Sequence, residues 1–112
     1  MEPREWQLRE YITRAGRNPF GEWLQSITDK TTRARIRTRI SRLRLGNFGD
    51  CRSVGEGVHE LRLDFGPAYR VYYSRVGARL VLLPGGGDKS SQDRDIREAR
   101  RHWQEYQEDH AH

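Results

Sequence analysis

Apolar positions along the chain follow two rhythms. Trp6 and Leu8 alternate with polar neighbours within residues 5–12, which predicts a first strand. The stretch 14–19, RAGRNP, breaks that rhythm and sets Asn18 as a helix N-cap with Pro19 at the first helical position. Phe20, Trp23, Leu24 and Ile27 then recur at i, i+3, i+4 and i+7, the spacing of a short amphipathic helix. Further on, VHELRLDF at 58–65 alternates, with Leu61, Leu63 and Phe65 on one face and Glu60, Arg62 and Asp64 on the other. Gly66-Pro67-Ala68 turns the chain. YRVYYSRV at 69–76 continues with Val71 and Tyr73 on one face and Arg70, Tyr72 and Ser74 opposite. After a turn at Gly77-Ala78, residues 80–83 form an unbroken apolar run, as in a strand covered on both faces. PGGGDKSS at 84–91 reads as a glycine-rich loop. Ser90 and Asp93 fit a capping box, and Ile96, Ala99, Trp103 and Tyr106 stripe a last helix whose tail, 108–112, is expected to fray.

Between these parts lies TTRARIRTRISRLRLGNFGD, residues 31–50, with arginine at 33, 35, 37, 39, 42 and 44 and no acid between Asp29 and Asp50. Its arginines alternate as they would on a strand, but the alternation slips at Ser41. At 100° per residue Ile36, Ile40 and Leu43 form one stripe without a slip, and Gly46-Asn47 supplies a helix stop. The segment 30–45 is therefore a helix, with arginines 33, 37 and 44 on one side of the stripe and 35, 39 and 42 on the other. No glutamate at i±4 neutralises them within the helix. A solvated face is the plain reading of such a pattern; a phosphate-binding face is the functional one. Residues 46–57 are expected to be loop, giving the order β-α-α-β-β-β-α.

Composition sharpens this picture. The 112 residues suit one domain, 1–112, and carry a formal charge of +5. Among 21 cationic side chains only Lys30 and Lys89 are lysines, and the planar arginine fork suits bidentate phosphate contact. A single cysteine, Cys51, excludes an internal disulfide and a multi-cysteine zinc site. No apolar run approaches the ~18 residues of a membrane span, and no signal-peptide core opens the chain, so a cytoplasmic protein is expected.

The strand faces hold the candidate chemistry. With the turn at 66–68, Asp64 is expected beside Arg70 and Arg62 beside Tyr72, which gathers Glu60, Arg62, Asp64, Arg70 and Tyr72 on one polar face while helices cover the other. The face reads either as solvated exterior or as a concave phosphate site with a nearby acid or base. PGGGDKSS is not a P-loop, because Asp88 rather than glycine precedes Lys89 and the three glycines are consecutive. Lys89, at the start of the last helix, adds a third cation that can converge with Arg62 and Arg70. His59, His102, His110 and His112 have no compelling metal-ligand spacing, and Cys51 has no evident catalytic partner.

NPFGEWL, RIRTRISRLRLGNFGD, GVHELR, YRVYY and GGDKSSQDRDI together resemble the RelE/ParE toxin superfamily of bacterial type II toxin–antitoxin systems. The similarity is greatest to its addiction-module killer branch, related to HigB, and covers residues 5–106. The resemblance implies an α+β fold in which a small, mainly antiparallel sheet has its helices packed on one face. It implies a ribosome-dependent messenger-RNA endonuclease, an mRNA interferase, needing neither metal nor cofactor. In such enzymes the substrate 2′-hydroxyl attacks the adjacent phosphate, and the reaction requires a base, cations for the phosphorane and a proton donor. Carried over residue by residue, Arg70, Arg62 and Lys89 match the family's cationic site residues. Glu60 stands where a basic residue is usual and is the candidate general base, with His59 and Tyr72 as further candidates. Asp95 stands where the family has a catalytic tyrosine.

The resemblance further implies a cognate antitoxin, typically a helix-turn-helix DNA-binding protein, and a growth-inhibiting role on the ribosome with no membrane partner. On this reading Arg33, Arg35, Arg37, Arg39, Arg42 and Arg44 dock ribosomal RNA. Two other readings are a ParE-like, non-enzymatic poison of DNA gyrase and an inactive toxin serving as an antitoxin-bound corepressor.

Overall fold

A computed structural model describes residues 5–111, so His112 lies outside the described residues. Five strands and three helices make an α+β fold: β1 Gln7–Glu10, α1 Pro19–Ser26, α2 Lys30–Ser41, β2 Cys51–Ser53, β3 His59–Arg62, β4 Arg70–Val76, β5 Leu80–Gly87 and α3 Gln92–Asp109. The sheet order is β1-β5-β4-β3-β2; β1 runs parallel to β5 and the remaining neighbours are antiparallel.

The helix starts follow local chemistry. The Asn18 side chain accepts a hydrogen bond from the Gly21 N–H at 2.9 Å, with Pro19 at the first helical position. Asp29 caps α2 by accepting from the Thr31 N–H. The arginine-rich segment is a helix, as its apolar stripe requires. It continues as a 3-10 turn over Arg42–Leu45 and ends on Gly46 in the left-handed conformation at φ 78°. Ile36, Ile40 and Leu43 are buried. The last helix starts differently from expectation. Asp88, not Ser90, caps a short 3-10 turn at Lys89–Ser91, and Ser91 stands before α3 without a side-chain cap. Of the tail expected to fray, Glu108 and Asp109 are instead the end of α3, gripped by Arg14 at 3.1 and 2.9 Å.

Three further expectations are corrected. The loop 46–57 contains β2, a three-residue edge strand paired to β3. The strand β5 does not stop at Leu83 but carries Pro84 to Gly87 into the ladder, with a register irregularity between Tyr72 and Ser74. Glycine matters most at Gly86, where a Cβ would overlap the Trp23 ring, whereas a Cβ on Gly87 would meet the movable Asp95 carboxylate. Finally, helices cover both faces of the sheet rather than one. Leu61, Leu63, Val71, Tyr73, Val81 and Leu83 pack with Phe20, Leu24, Ile36, Ile40 and Leu43 from α1, α2 and its 3-10 extension. The alternate residues Val58, Tyr72 and Leu82 pack with Ala99, Trp103 and Tyr106 of α3 and with Tyr11. Among the described residues no helix is long and apolar enough to cross a membrane.

Candidate functional site

The register decides which polar residues meet. The β3–β4 pairing sets Arg62 opposite Arg70, Leu61 opposite Val71, Glu60 opposite Tyr72 and His59 opposite Tyr73. This is two residues from the expected pairing. An even shift preserves the faces and widens the turn, and Leu63 N–H still donates to the Tyr69 carbonyl at 2.9 Å. Across the sheet two rows result on the α3 side. One is Arg52–Glu60–Tyr72–Gly85 and the other is Arg62–Arg70–Gly87.

Because α3 lies over these rows, the face expected to be open is largely buried. Glu60 is fully buried. Its Oε1 accepts from Arg52 Nε at 3.0 Å and lies 3.5 Å from Arg70 Nη1. Its Oε2 accepts from the Tyr72 hydroxyl at 3.3 Å and from Gln92 Nε2 at 2.9 Å. A buried carboxylate needs such compensation, and donors surround this one. In this arrangement it holds Arg70, Tyr72 and Gln92 in place. Tyr72 is fully buried as well, and burial, reinforced by the Glu60 charge, raises its pKa, so it stays a neutral hydrogen-bond donor.

Arg70 is 7% exposed, and its Nε and Nη1 have no hydrogen-bond partner despite the nearby Glu60 charge. Directly across the ladder stands Arg62, exposed and 3.5 Å from Asp50. Like charges facing each other on adjacent strands repel, and N–H groups buried without partners carry a desolvation cost. An oxyanion seated beside Arg62 would relieve the repulsion. At the far end of the row Asp95 of α3 lies against Gly87, its Oδ2 accepting from the Ser91 hydroxyl. Burial raises the Asp95 pKa and outweighs the Ser91 hydrogen bond, so it is a stronger base than a solvated aspartate. Lys89 is exposed two residues beyond Gly87, its backbone N–H directed to the Pro67 carbonyl at 3.4 Å.

Not every candidate joins this row. His59 points to the other face, stacked on Tyr73 with ring centroids 5.2 Å apart, and burial with the Arg75 charge lowers its pKa. Asp64 sits in the turn with Phe65, lining a groove of about 380 Å³ with Arg35, Arg39 and Arg42. Five of the six arginines of α2 and its 3-10 extension meet groups outside their helix. Arg33 donates to the Ile27 carbonyl. Arg35 covers the Phe65 ring at 3.9 Å. Arg37 lies 3.8 Å from Glu10 and Arg44 3.2 Å from Glu5. Arg39 donates to the Phe48 carbonyl at 3.5 Å while its Nη1 stays buried and unpartnered. Sequence reasoning missed Arg52 and Gln92. The first lay in a segment read as loop and the second on a helix assigned to the wrong face. Among the described residues no group of three or more His, Cys, Asp or Glu is placed to hold a metal ion.

An uncharacterized protein of Haemophilus influenzae is 48% identical to this chain over 81 residues, which span 72% of the chain and 82% of the relative. No family model matches the chain. No solved structure matches it.

Proposed function

We propose that this chain, which belongs to the same protein family as that Haemophilus influenzae protein, is the toxin of a type II toxin–antitoxin pair and cleaves messenger RNA on the ribosome. The observation carrying the reading is the Arg62–Arg70 row, where a buried guanidinium with two nitrogens that make no hydrogen bond faces an exposed one across the ladder. A scissile phosphate on that row gains bidentate contacts that strengthen as the phosphorane accumulates charge. The 2′-oxygen attacks phosphorus as Asp95 accepts its proton. The bond from phosphorus to the 5′ oxygen then breaks, Lys89 protonates the leaving oxygen, and a 2′,3′-cyclic phosphate and a 5′-hydroxyl end result. The α2 arginines hold ribosomal RNA, and an antitoxin of helix-turn-helix type neutralises the chain.

The test is an in vitro translation reaction with mapped messenger 5′ ends, run with and without ribosomes. Cleavage is expected only with ribosomes, and Arg62→Ala and Lys89→Ala, both at exposed positions, are expected to lower it by about 10²–10³ while leaving the fold intact. Burial of Glu60 and the turning away of His59 favour a second reading, a ParE-like gyrase poison without catalysis. Intact messenger beside stalled gyrase–DNA complexes would establish that one instead.

A further inference from the structure

Strand β1 pairs with β5 only as far as Glu10 opposite Leu83, so Pro84–Gly87 has β4 on one side and no strand on the other. Backbone groups alternate in direction along a strand, and this stretch therefore turns some of its N–H and C=O groups toward the open side. Three adjoining cavities of about 400, 420 and 550 Å³ run past that edge between α1 and α3, which pack on opposite faces of the sheet. Glu22, Glu98 and His102 line the first two cavities, and Trp23, Gly86 and Asp95 line the second and third, so the three form one groove. The edge is bare at Gly85, where a Cβ would meet nothing within 4 Å. The charge of the groove runs against that of the chain. Six carboxylates line it against four guanidinium groups, although the whole chain carries +5. One of the four, Arg14, is engaged by Glu108 and Asp109 outside the lining. Toward one end His102 is 6% exposed and its Nδ1 makes no hydrogen bond. Its Nε2 lies 3.9 Å from Glu98 and its Nδ1 3.9 Å from Glu105, both beyond hydrogen-bonding reach. Toward the other end Trp23 and Tyr69 stand edge to face, 6.1 Å apart, beside Asp29, Asp88 and Asp95.

We infer that this groove docks an extended, arginine-bearing segment of a partner protein, laid along β5 in continuation of β1. Carboxylates beside aromatic walls select a cation. Among cations, guanidinium is the planar one: it stacks on an indole or phenol ring while its N–H groups reach carboxylates on either side. A second arginine fits the other end. Burial lowers the pKa of His102, so its imidazole is neutral and one ring nitrogen accepts. A guanidinium entering there donates to that nitrogen and to Glu98, which supplies the partner a buried polar group requires. The same carboxylates repel a phosphodiester. A free amine would satisfy the charges but not the sheet, whereas a polypeptide brings backbone groups to pair with the open edge. An occupant covers Asp95, yet its binding does not depend on the cleavage reading.

The experiment titrates the isotopically labelled full chain with a capped peptide of threonine and valine that carries two arginines on one face. NMR follows the rings of Trp23, Tyr69 and His102 and the amides of Gly85, Gly86 and Gly87. All are expected to respond together, and the glycine amides to gain protection from hydrogen exchange. Raising the salt concentration is expected to weaken binding, and replacing the arginines of the peptide with glutamates to abolish it. Tyr69→Leu, which keeps an apolar body but no π face, is expected to weaken binding about five- to tenfold. Glu98→Gln, at an exposed position on α3, is expected to weaken it several-fold and to remove the response of His102 while leaving that of Tyr69. Undisturbed rings at millimolar peptide would overturn the docking site. So would equal binding of the glutamate peptide, or stronger perturbation of the same rings by a short single-stranded RNA. Spermidine binding as tightly as the peptide, or ring shifts without protection of the glycine amides, would overturn the extended segment as occupant.

Discussion

Glu60→Gln is the substitution that probes most of the buried network at once. It keeps the volume of a fully buried side chain and removes its charge. The amide oxygen fits best beside Arg52 Nε, which leaves the amide nitrogen facing the Tyr72 hydroxyl and Gln92 Nε2, two former donors to the carboxylate. The hydroxyl can turn to accept, but Gln92 must flip its own amide. The larger effect falls on Arg70, whose guanidinium is 7% exposed and has the Glu60 carboxylate 3.5 Å away. Leaving a buried charge without its counter-charge costs about 3–5 kcal/mol. The lower end applies here because an amide oxygen survives. At roughly 4–8 °C per kcal/mol, the melting midpoint is expected to fall by at least ~12 °C. Tyr72→Phe, which deletes one hydrogen bond to the same carboxylate, is expected to cost about 1.5–3 kcal/mol. Urea and thermal unfolding, each with and without inorganic phosphate, measure both. Phosphate occupying Arg70 stabilises by mass action, and the gain is expected to be larger in Glu60→Gln, where no carboxylate competes. A Glu60→Gln protein within about 0.5 kcal/mol of the wild type, with no phosphate dependence in either, would refute the account of Arg70 as a buried cation whose counter-charge is Glu60.

Other consequences are simpler to check. Asn18→Ala removes the α1 cap and the hydrogen bond from Asn18 Nδ2 to Glu10 at 2.7 Å, so urea unfolding should show a loss of about 1–2 kcal/mol. His102 is buried, and burial followed by the Arg101 charge lowers its pKa, so the unfolded chain binds its proton more readily than the folded one. Stability from this residue is present above its unfolded pKa of about 6.5 and lost as pH falls through the lower folded value. His59, shifted the same way, adds to the slope, and His102→Gln should flatten the drop in urea midpoint between about pH 6.5 and 5 without abolishing it. Arg35→Ala with Arg42→Ala removes two guanidinium groups from the α2 groove. The plot of log affinity for ribosomes against log salt should then lose about one unit of slope per phosphate contact removed, while melting changes little.

How far the residues disclosed this arrangement depends on which neighbour decides each feature. The arginine-rich helix was legible because a stripe of Ile36, Ile40 and Leu43 is a property of the segment itself, as is the Asn18-Pro19 start of α1. The sorting of Glu60, Arg62, Arg70 and Tyr72 onto one face was equally local and survived a two-residue error in register, because faces repeat every second residue. What lies over that face is not local. A helix with Ala99, Trp103 and Tyr106 in a stripe packs equally well, by pattern alone, against either side of a sheet. Two signals did point the right way. The unbroken apolar run at 80–83 demanded cover on both sides, and two helices on one face cannot supply it. Tyr72 also sat among charged residues on a face that otherwise read as solvent-exposed. Had those two facts been joined, α3 would have been placed over Glu60, and the carboxylate would have needed donors. Arg52, Gln92 and Arg70 are then the groups to look for, since a buried carboxylate requires partners whatever its role.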